Sequence, residues 1–246
     1  ALAPGNLLAS GSIAFYYAVI ALHGSGLYDE AVSIFDQAVA QARRRGDIFN
    51  VAFMLMWRGK CQTHRGDLRA AVADLREALD LCVAHGMLVA WPYTIGSLAH
   101  ALLEQGEADE AARIIDEGDF PEQLPLDQLH LVHFRLSRGR LRIETGSPER
   151  GVEELLQVGQ TARLFPHDNP SGVPWRSWAA EGLRRLDRSD EARALAEEEL
   201  ALARRWGDPN AIGASLRVLG LVEDGEEGIG RLREAVEVLA GSEARL

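Results

Sequence analysis

The sequence predicts an all-α solenoid, a right-handed superhelix of about six helix–turn–helix repeats. A turn-forming residue is followed five positions later by a small residue, and this pair returns at spacings of 40, 40, 40 and 41 residues. Apolar residues recur at helical spacing on both sides of each turn, which is typical of stacked hairpins that bury their apolar faces against their neighbours. The pairs are Gly26 with Ala31, Gly66 with Ala71, Gly106 with Ala111, Gly146 with Gly151, and Asp187 with Ala192.

The segment from Asn50 to His85 shows one unit most clearly. Its apolar side chains repeat with helical period before and after the break at Arg65–Asp67, which predicts a helix, a tight turn and a second helix. Asp67 is placed to cap the second helix, and Gly86 follows it as a stop signal.

Two further positions predict how the helices of a hairpin pack. A large apolar residue lies nine positions after each of the first four junctions, with Ala196 in its place after the fifth, and a small residue lies seven positions before each of the last four. Glycine inside a helix costs about 1 kcal/mol relative to alanine, so Gly59 and Gly139 are expected to allow a close contact that compensates for this cost. The large residues are Phe35, Leu75, Ile115 and Leu155, and the small ones are Gly59, Ala99, Gly139 and Ala180.

We predict one repeat domain over residues 1–246, and we expect it to be a fragment of a larger protein. The approximate repeats are 6–46, 47–86, 87–125, 126–166, 173–207 and 208–241. Asp208 and Pro209 are expected to open the last repeat as N-cap and first helical residue. The proline-bearing stretches Asp119–Pro125 and Phe165–Pro174 are predicted to be long loops. Two roles are equally compatible with the sequence: the loops cover a groove, or they are passive spacers between repeats.

Composition restricts the function classes. The net charge of −11 disfavours direct binding of nucleic acid, and the sequence has no apolar run of the roughly 20 residues that a membrane span needs. Cys61 and Cys82 lie within apolar helical pattern and form no disulfide framework. We therefore expect a cytoplasmic protein with no membrane contact.

The second unit resembles the tetratricopeptide (TPR) repeat. Gly59, Gly66, Ala71, Leu75 and Ala78 occupy the eighth, fifteenth, twentieth, twenty-fourth and twenty-seventh positions of that pattern. The period is 40 residues where the family has 34, and most aromatic and proline positions of the family are absent. The resemblance is to a divergent TPR-like array and covers most of the chain.

The chain also resembles the helical-repeat region of LuxR-family ATP-dependent bacterial transcriptional regulators, relatives of the maltose-regulon activator. That resemblance implies a sensor arm that takes an inducer or a partner protein between a nucleotide-binding module and a helix-turn-helix. The sequence contains neither a GxxxxGK[ST] loop nor a DNA-reading helix pair, so ATP and DNA binding are not assigned to it. The segments that carry the resemblance are Arg58–Lys60, Gly66–Ala71, Gly139–Leu141, Arg204–Pro209 and Leu219–Glu223.

The TPR resemblance implies that the first helix of each repeat lines a concave groove. Lys60, His100 and Arg140 fall in register at one inward position and would form a cationic ladder suited to an anionic group on an apolar body. The inward residues beside the ladder are Phe53, Tyr93 and His133 at one position, and Tyr16 and Met56 at another. Another inward position carries His64, Glu104 and Glu144. The two glutamates are expected to neutralise part of the positive charge of the ladder.

Catalytic and metal-binding patterns are weak. His130 and His133 share a helical face without a third ligand, and the remaining histidines (His23, His64, His85, His100 and His167) are interpreted mainly as helix-end or solvent-exposed residues. We expect no enzyme activity, no metal and no cofactor in this segment. The leading hypothesis is a noncatalytic sensor or interaction domain of a LuxR-family regulator that binds a protein, a peptide or a small-molecule inducer in its groove, with formation of a homo-oligomer left open. The alternative is a freestanding TPR-like scaffold for protein assembly.

Overall fold

The computed structural model describes residues 20–164, 168–223 and 225–245, and it is a superhelix of helical repeats in which these residues form no strand. The predicted all-α repeat fold is confirmed. Residues 20–24 are helical, and Leu129–Leu131 form a 3₁₀ turn. The other helices are α1 (Tyr28–Arg45), α2 (Ile48–His64), α3 (Leu68–Ala84), α4 (Ala90–Glu104), α5 (Ala108–Glu117), α6 (Val132–Glu144), α7 (Pro148–Leu164), α8 (Trp175–Arg185), α9 (Ser189–Trp206), α10 (Pro209–Val222) and α11 (Gly225–Ala240).

The helices form two layers. Helices α2, α4, α6, α8 and α10 pack side by side in chain order as the inner layer, and each makes a hairpin with the outer helix that follows it. Each inner helix also packs against the outer helix that precedes it, so consecutive hairpins stack as predicted. The repeat boundaries given above stay a prediction.

The five-residue motif sets the hairpin turns. The turn residue has a positive φ in every described hairpin turn that carries the motif, including the non-glycine Asp187 at φ +58°. A β-carbon on Gly59 would lie 2.6 Å from the Leu75 side chain, and one on Gly139 would lie 2.9 Å from that of Leu155. The predicted close approach at Gly59 and Gly139 is therefore confirmed.

The two predicted N-caps differ in outcome. Asp208 accepts a hydrogen bond from the backbone N–H of Asn210 (3.0 Å), and Pro209 is the first residue of α10. Asp67 precedes α3 as expected but does not cap it, because its carboxylate instead pairs with Arg65 at 3.2 Å. Local sequence favours both caps equally, so the neighbouring arginine decides the second one.

The long loops are tied to the helices that follow them. In the first, the Arg138 guanidinium on α6 donates to the carbonyls of Pro121 (3.2 Å) and Glu122 (3.1 Å). In the second, Asp168 pairs with Arg176 at 2.6 Å, while residues 165–167 lie outside the described part. Cys61 and Cys82 are buried free thiols, as expected for packing residues.

The two ends of the described superhelix meet. Asn210 donates to the Tyr28 hydroxyl (2.9 Å), the backbone N–H of Arg245 donates to the carbonyl of His64 (3.1 Å), and the Trp206 indole donates to the carbonyl of Gly24. We call the contact of residues 206–210 and 242–245 with residues 24–29 and 64–66 the seam. Because of the seam, the inner face of the superhelix is an interior and not an open groove.

None of the helices described is both long and apolar enough to span a bilayer.

Candidate ligand chamber and interaction surface

The residues predicted to line the groove lie on three adjacent inner helices. Phe53, Met56 and Lys60 are on α2, Tyr93 and His100 on α4, and His133 and Arg140 on α6. Met56 is buried and the other six are partly buried. Tyr16 lies outside the described residues.

Lys60 is the centre of one cluster. Its Nζ donates to the Tyr93 hydroxyl at 2.9 Å and lies 3.4 Å and 3.5 Å from the two ring nitrogens of His133. The same nitrogen is 4.7 Å from the ring centroid of Trp57 and 4.8 Å from that of Tyr93, which is within the range of a cation–π interaction. The structure thus places the ammonium group in an aromatic box.

Arg140 and His100 form a second, compensated cluster. Arg140 donates to Glu104 and, at 2.7 Å, to Glu144, and its guanidinium lies 5.1 Å from the ring centroid of Trp178. His100 Nε2 lies 3.3 Å from Glu104. Although burial alone would raise the pKa of Glu104, the hydrogen bonds and charges of these partners lower it well below its usual range. The three residues of the predicted ladder are therefore not equivalent, because Arg140 and His100 belong to this ion-pair network and Lys60 lies outside it.

Three histidines that lie near helix ends in the sequence are in the interior: His64 and His100, at inward positions of the TPR frame, and His23, for which only a helix-end or exposed position was expected. His23 is only 3% exposed, and the ring of His64 stacks on that of Tyr28 with centroids 5.0 Å apart. Burial lowers the pKa of His64 to about 3 and also lowers the pKa values of His23 and His100. The TPR frame held the missing signal, because His23 and His64 occupy its inward twelfth and thirteenth positions.

A cavity of about 30 Å³ lies beside Lys60, with room for one or two water-sized guests. His64, His100 and His133 line it together with Lys60, and Pro174 and Trp178 border it from the second long loop and α8. Nearby, the Trp57 Nε1 and His23 Nε2 atoms are buried and find no hydrogen-bond partner among the described residues. We call this space and its lining the chamber.

Lys60 is the single lysine of the 246 residues, since arginine supplies every other basic side chain apart from histidine. Burial lowers the pKa of Lys60 to about 7. An arginine would remain charged at this position at any physiological pH, whereas a buried lysine gives up its proton readily. Lys60 is therefore a basic side chain of the interior that changes its charge near neutral pH.

Exposed apolar side chains are concentrated at one edge of the superhelix, where each repeat connects to the next. Leu88 is 74% exposed, Val89 69% and Phe49 52%. We call this set the apolar edge: Ile48, Phe49, Val83, Leu88, Val89, Leu126, Leu164 and Trp206. At the opposite edge, the described hairpin turns carry only Leu27 and Leu221 as large exposed apolar residues.

Comparisons with known proteins support the fold. No family model and no curated protein matches the sequence. The structure is similar to that of TTC0263, a TPR protein of Thermus thermophilus, with a TM-score of 0.56, 19% identity, and coverage of 88% of this chain and 99% of that one. It is also similar to BtubC (BKLC) from P. vanneervenii, with a TM-score of 0.55, 16% identity, and coverage of 87% and 88%. A putative kinesin light chain of Podospora anserina with TPR-like repeats has a TM-score of 0.50, 18% identity, and coverage of 76% and 90%.

These similarities support a TPR-like helical-repeat region. The assignment to LuxR-family regulators receives no support from them.

Proposed function

We propose that this chain is a noncatalytic TPR-like scaffold that holds partner proteins at its apolar edge. The observation that carries the proposal is the concentration of exposed large apolar side chains at the connections between repeats. Large apolar patches on the surface of soluble proteins mark interaction sites, and we infer such a patch from the shared position of these exposed side chains at the connections between repeats.

The exposed apolar residues of the edge repeat with the period of the helical repeats, which supports a functional surface. Ile48 and Phe49 are followed 40 residues later by Leu88 and Val89, so two consecutive repeats present the same apolar pair at the same place. Fully burying one such side chain contributes about 1.5–3 kcal/mol. Two or three of them buried together are enough to form the energetic centre of a protein interface.

The inner face suits a protein or peptide partner poorly. Drug-sized ligands occupy pockets of about 300–1,000 Å³, whereas the cavity in the chamber measures about 30 Å³. A peptide or an organic inducer would enter only if the seam opened. The scaffold reading therefore accounts for the surface better than the inducer-sensing reading does, and the buried free thiols fit the cytoplasmic location that is part of this proposal.

Site-specific photo-crosslinking in cells of the source organism tests the proposal. A crosslinking residue at Leu88 is compared with one at Val236, which is 68% exposed on the outer helix α11 and serves as the matched control. We expect a discrete protein adduct from position 88, lost when Phe49 and Val89 are both changed to serine. Equal labelling from both positions, or an adduct that survives the double substitution, would refute a docking site at this edge.

A further inference from the structure

We propose that the chamber binds a small monovalent anion of about the size of chloride, held by the Lys60 ammonium group. This site is separate from the apolar edge and does not depend on the scaffold function.

The first step of the argument is charge. No carboxylate lies within 4 Å of Lys60 Nζ in residues 20–164, 168–223 and 225–245. The first 19 residues contain no aspartate or glutamate, and Glu104, the carboxylate on the neighbouring inner helix, is already bound to Arg140 and His100. A buried ammonium group without a counter-ion is costly. An anion in the adjoining cavity would remove that cost.

The second step is the excess of hydrogen-bond donors. Asn210 Nδ2 lies 3.5 Å from His64 Nδ1, and in the tautomer that accepts from this amide the ring proton of His64 is on Nε2, where it is a donor. The indole N–H of Trp57 and Nε2 of His23 also have no partner in the described part of the chain, although neither residue is among those that line the cavity. Tyr93 accepts from Lys60 and retains its own hydroxyl proton. A halide accepts hydrogen bonds from all sides and donates none, whereas a water molecule accepts two and brings two donors of its own.

The third step is size. A cavity of about 30 Å³ admits a chloride or bromide ion, which is only slightly larger than water, and excludes an organic acid. Pro174 and Trp178 close one side of it. The geometry therefore selects a compact ion over the larger anionic ligand that the sequence predicted.

Anion binding is linked to protonation of Lys60, because the ion favours the charged amine. Three other titratable side chains line the cavity: His64 on α2, His100 on α4 and His133 on α6. The titratable groups that contact or adjoin these residues and Lys60 are His23, Tyr28, Cys61, Tyr93, Glu104 and Arg140. Burial lowers the pKa of Lys60 to about 7 and the pKa of His64 to about 3, so Lys60 takes up its proton well before His64 as pH falls. Affinity for the anion is thus expected to rise as pH falls through 7.

The single lysine makes the test direct. In protein labelled with ¹³C-lysine, the Lys60 ¹³Cε resonance is followed against pH in 150 mM chloride and in 150 mM gluconate, an anion too large for the cavity. We expect a roughly tenfold smaller acid dissociation constant for Lys60 in chloride, the change that corresponds to an anion concentration about ten times its Kd. Identical titrations in the two salts would overturn the proposal.

Two further measurements locate the ion. At pH 6.5 chloride is expected to raise the Tm by about 3–5 °C over gluconate, and this rise is expected to disappear in Lys60→Met. Crystals soaked in bromide are expected to show an anomalous peak within hydrogen-bond distance of Lys60 Nζ. A chloride response that persists in Lys60→Met, or a bromide peak found only elsewhere, would place the ion outside the chamber and refute the inference.

Discussion

Gly26 and Gly106 provide a matched test of the seam. Both are hairpin-turn residues in the left-handed region, with φ of +75° and +80°. A β-carbon therefore carries the same conformational cost at both, about 1–2 kcal/mol. At Gly106 it would meet no atom within 4 Å, whereas at Gly26 it would lie 2.5 Å from Oδ1 of Asp208.

The additional cost at Gly26 comes from Asp208. This carboxylate is 1% exposed and caps α10, so moving it breaks a cap worth about 1 kcal/mol and loosens the packing of residues 206–210 on the first hairpin. We expect Gly26→Ala to lower the free energy of unfolding by about 1–3 kcal/mol more than Gly106→Ala does.

Denaturant titration followed by tryptophan fluorescence measures the difference, and Trp206 reports on the seam because its indole donates to the carbonyl of Gly24. In the background of Asp208→Ala the two glycine substitutions should become equivalent, since the clash is gone. If they already differ by less than about 0.5 kcal/mol in the unaltered protein, the ends of the superhelix do not meet in solution.

Three other predictions follow from the same structure. In gluconate buffer, Lys60→Met is expected to raise the free energy of unfolding by about 2–4 kcal/mol near pH 7. The folded-state pKa of Lys60 (about 7) lies below its unfolded value, so in denaturant titrations the stability of the wild type should rise from pH 7 to 10 while that of the variant stays constant. The pKa of His64 is lowered to about 3 in the folded state, so the stability that its neutral ring contributes is present above pH 6.5 and is lost as pH falls. His64→Gln should therefore reduce the loss of stability between pH 7 and pH 5 by about 2 kcal/mol. An unchanged loss would show that His64 is not buried. Gly59→Ala is expected to cost about 1–3 kcal/mol because its β-carbon would meet the Leu75 side chain at 2.6 Å, and in thermal unfolding the double substitution with Leu75→Ala should cost less than the sum of the two single substitutions.

The repeat fold could be predicted because its determinants are local. The contact between Gly59 and Leu75 joins residues only 16 apart, and the same pairing returns 80 residues later between Gly139 and Leu155. The repeating spacing of the sequence therefore predicts which hairpins form and in which order they stack. The TPR resemblance also placed Lys60, Tyr93 and His133 on one inner surface, where the structure brings them together.

The seam and the chamber could not be predicted from that register. Whether a solenoid's ends meet depends on small rotations between repeats that accumulate along the array, and no periodic pattern encodes them. The hydrogen bond from Asn210 to Tyr28 joins residues 182 positions apart. Without that contact, His23 and His64 are reasonably interpreted as helix-end residues, and the inner face as an open groove.

The meeting of the first and last described hairpins changes how such an array comes apart. Linear repeat arrays lose their terminal units first, because an end unit has one neighbour where an internal unit has two. Here the hydrogen bonds from Asn210 and Arg245 give each end unit a second neighbour. Unfolding of either end unit therefore requires the seam to break, and breaking of the seam is the step that makes the interior accessible to solvent.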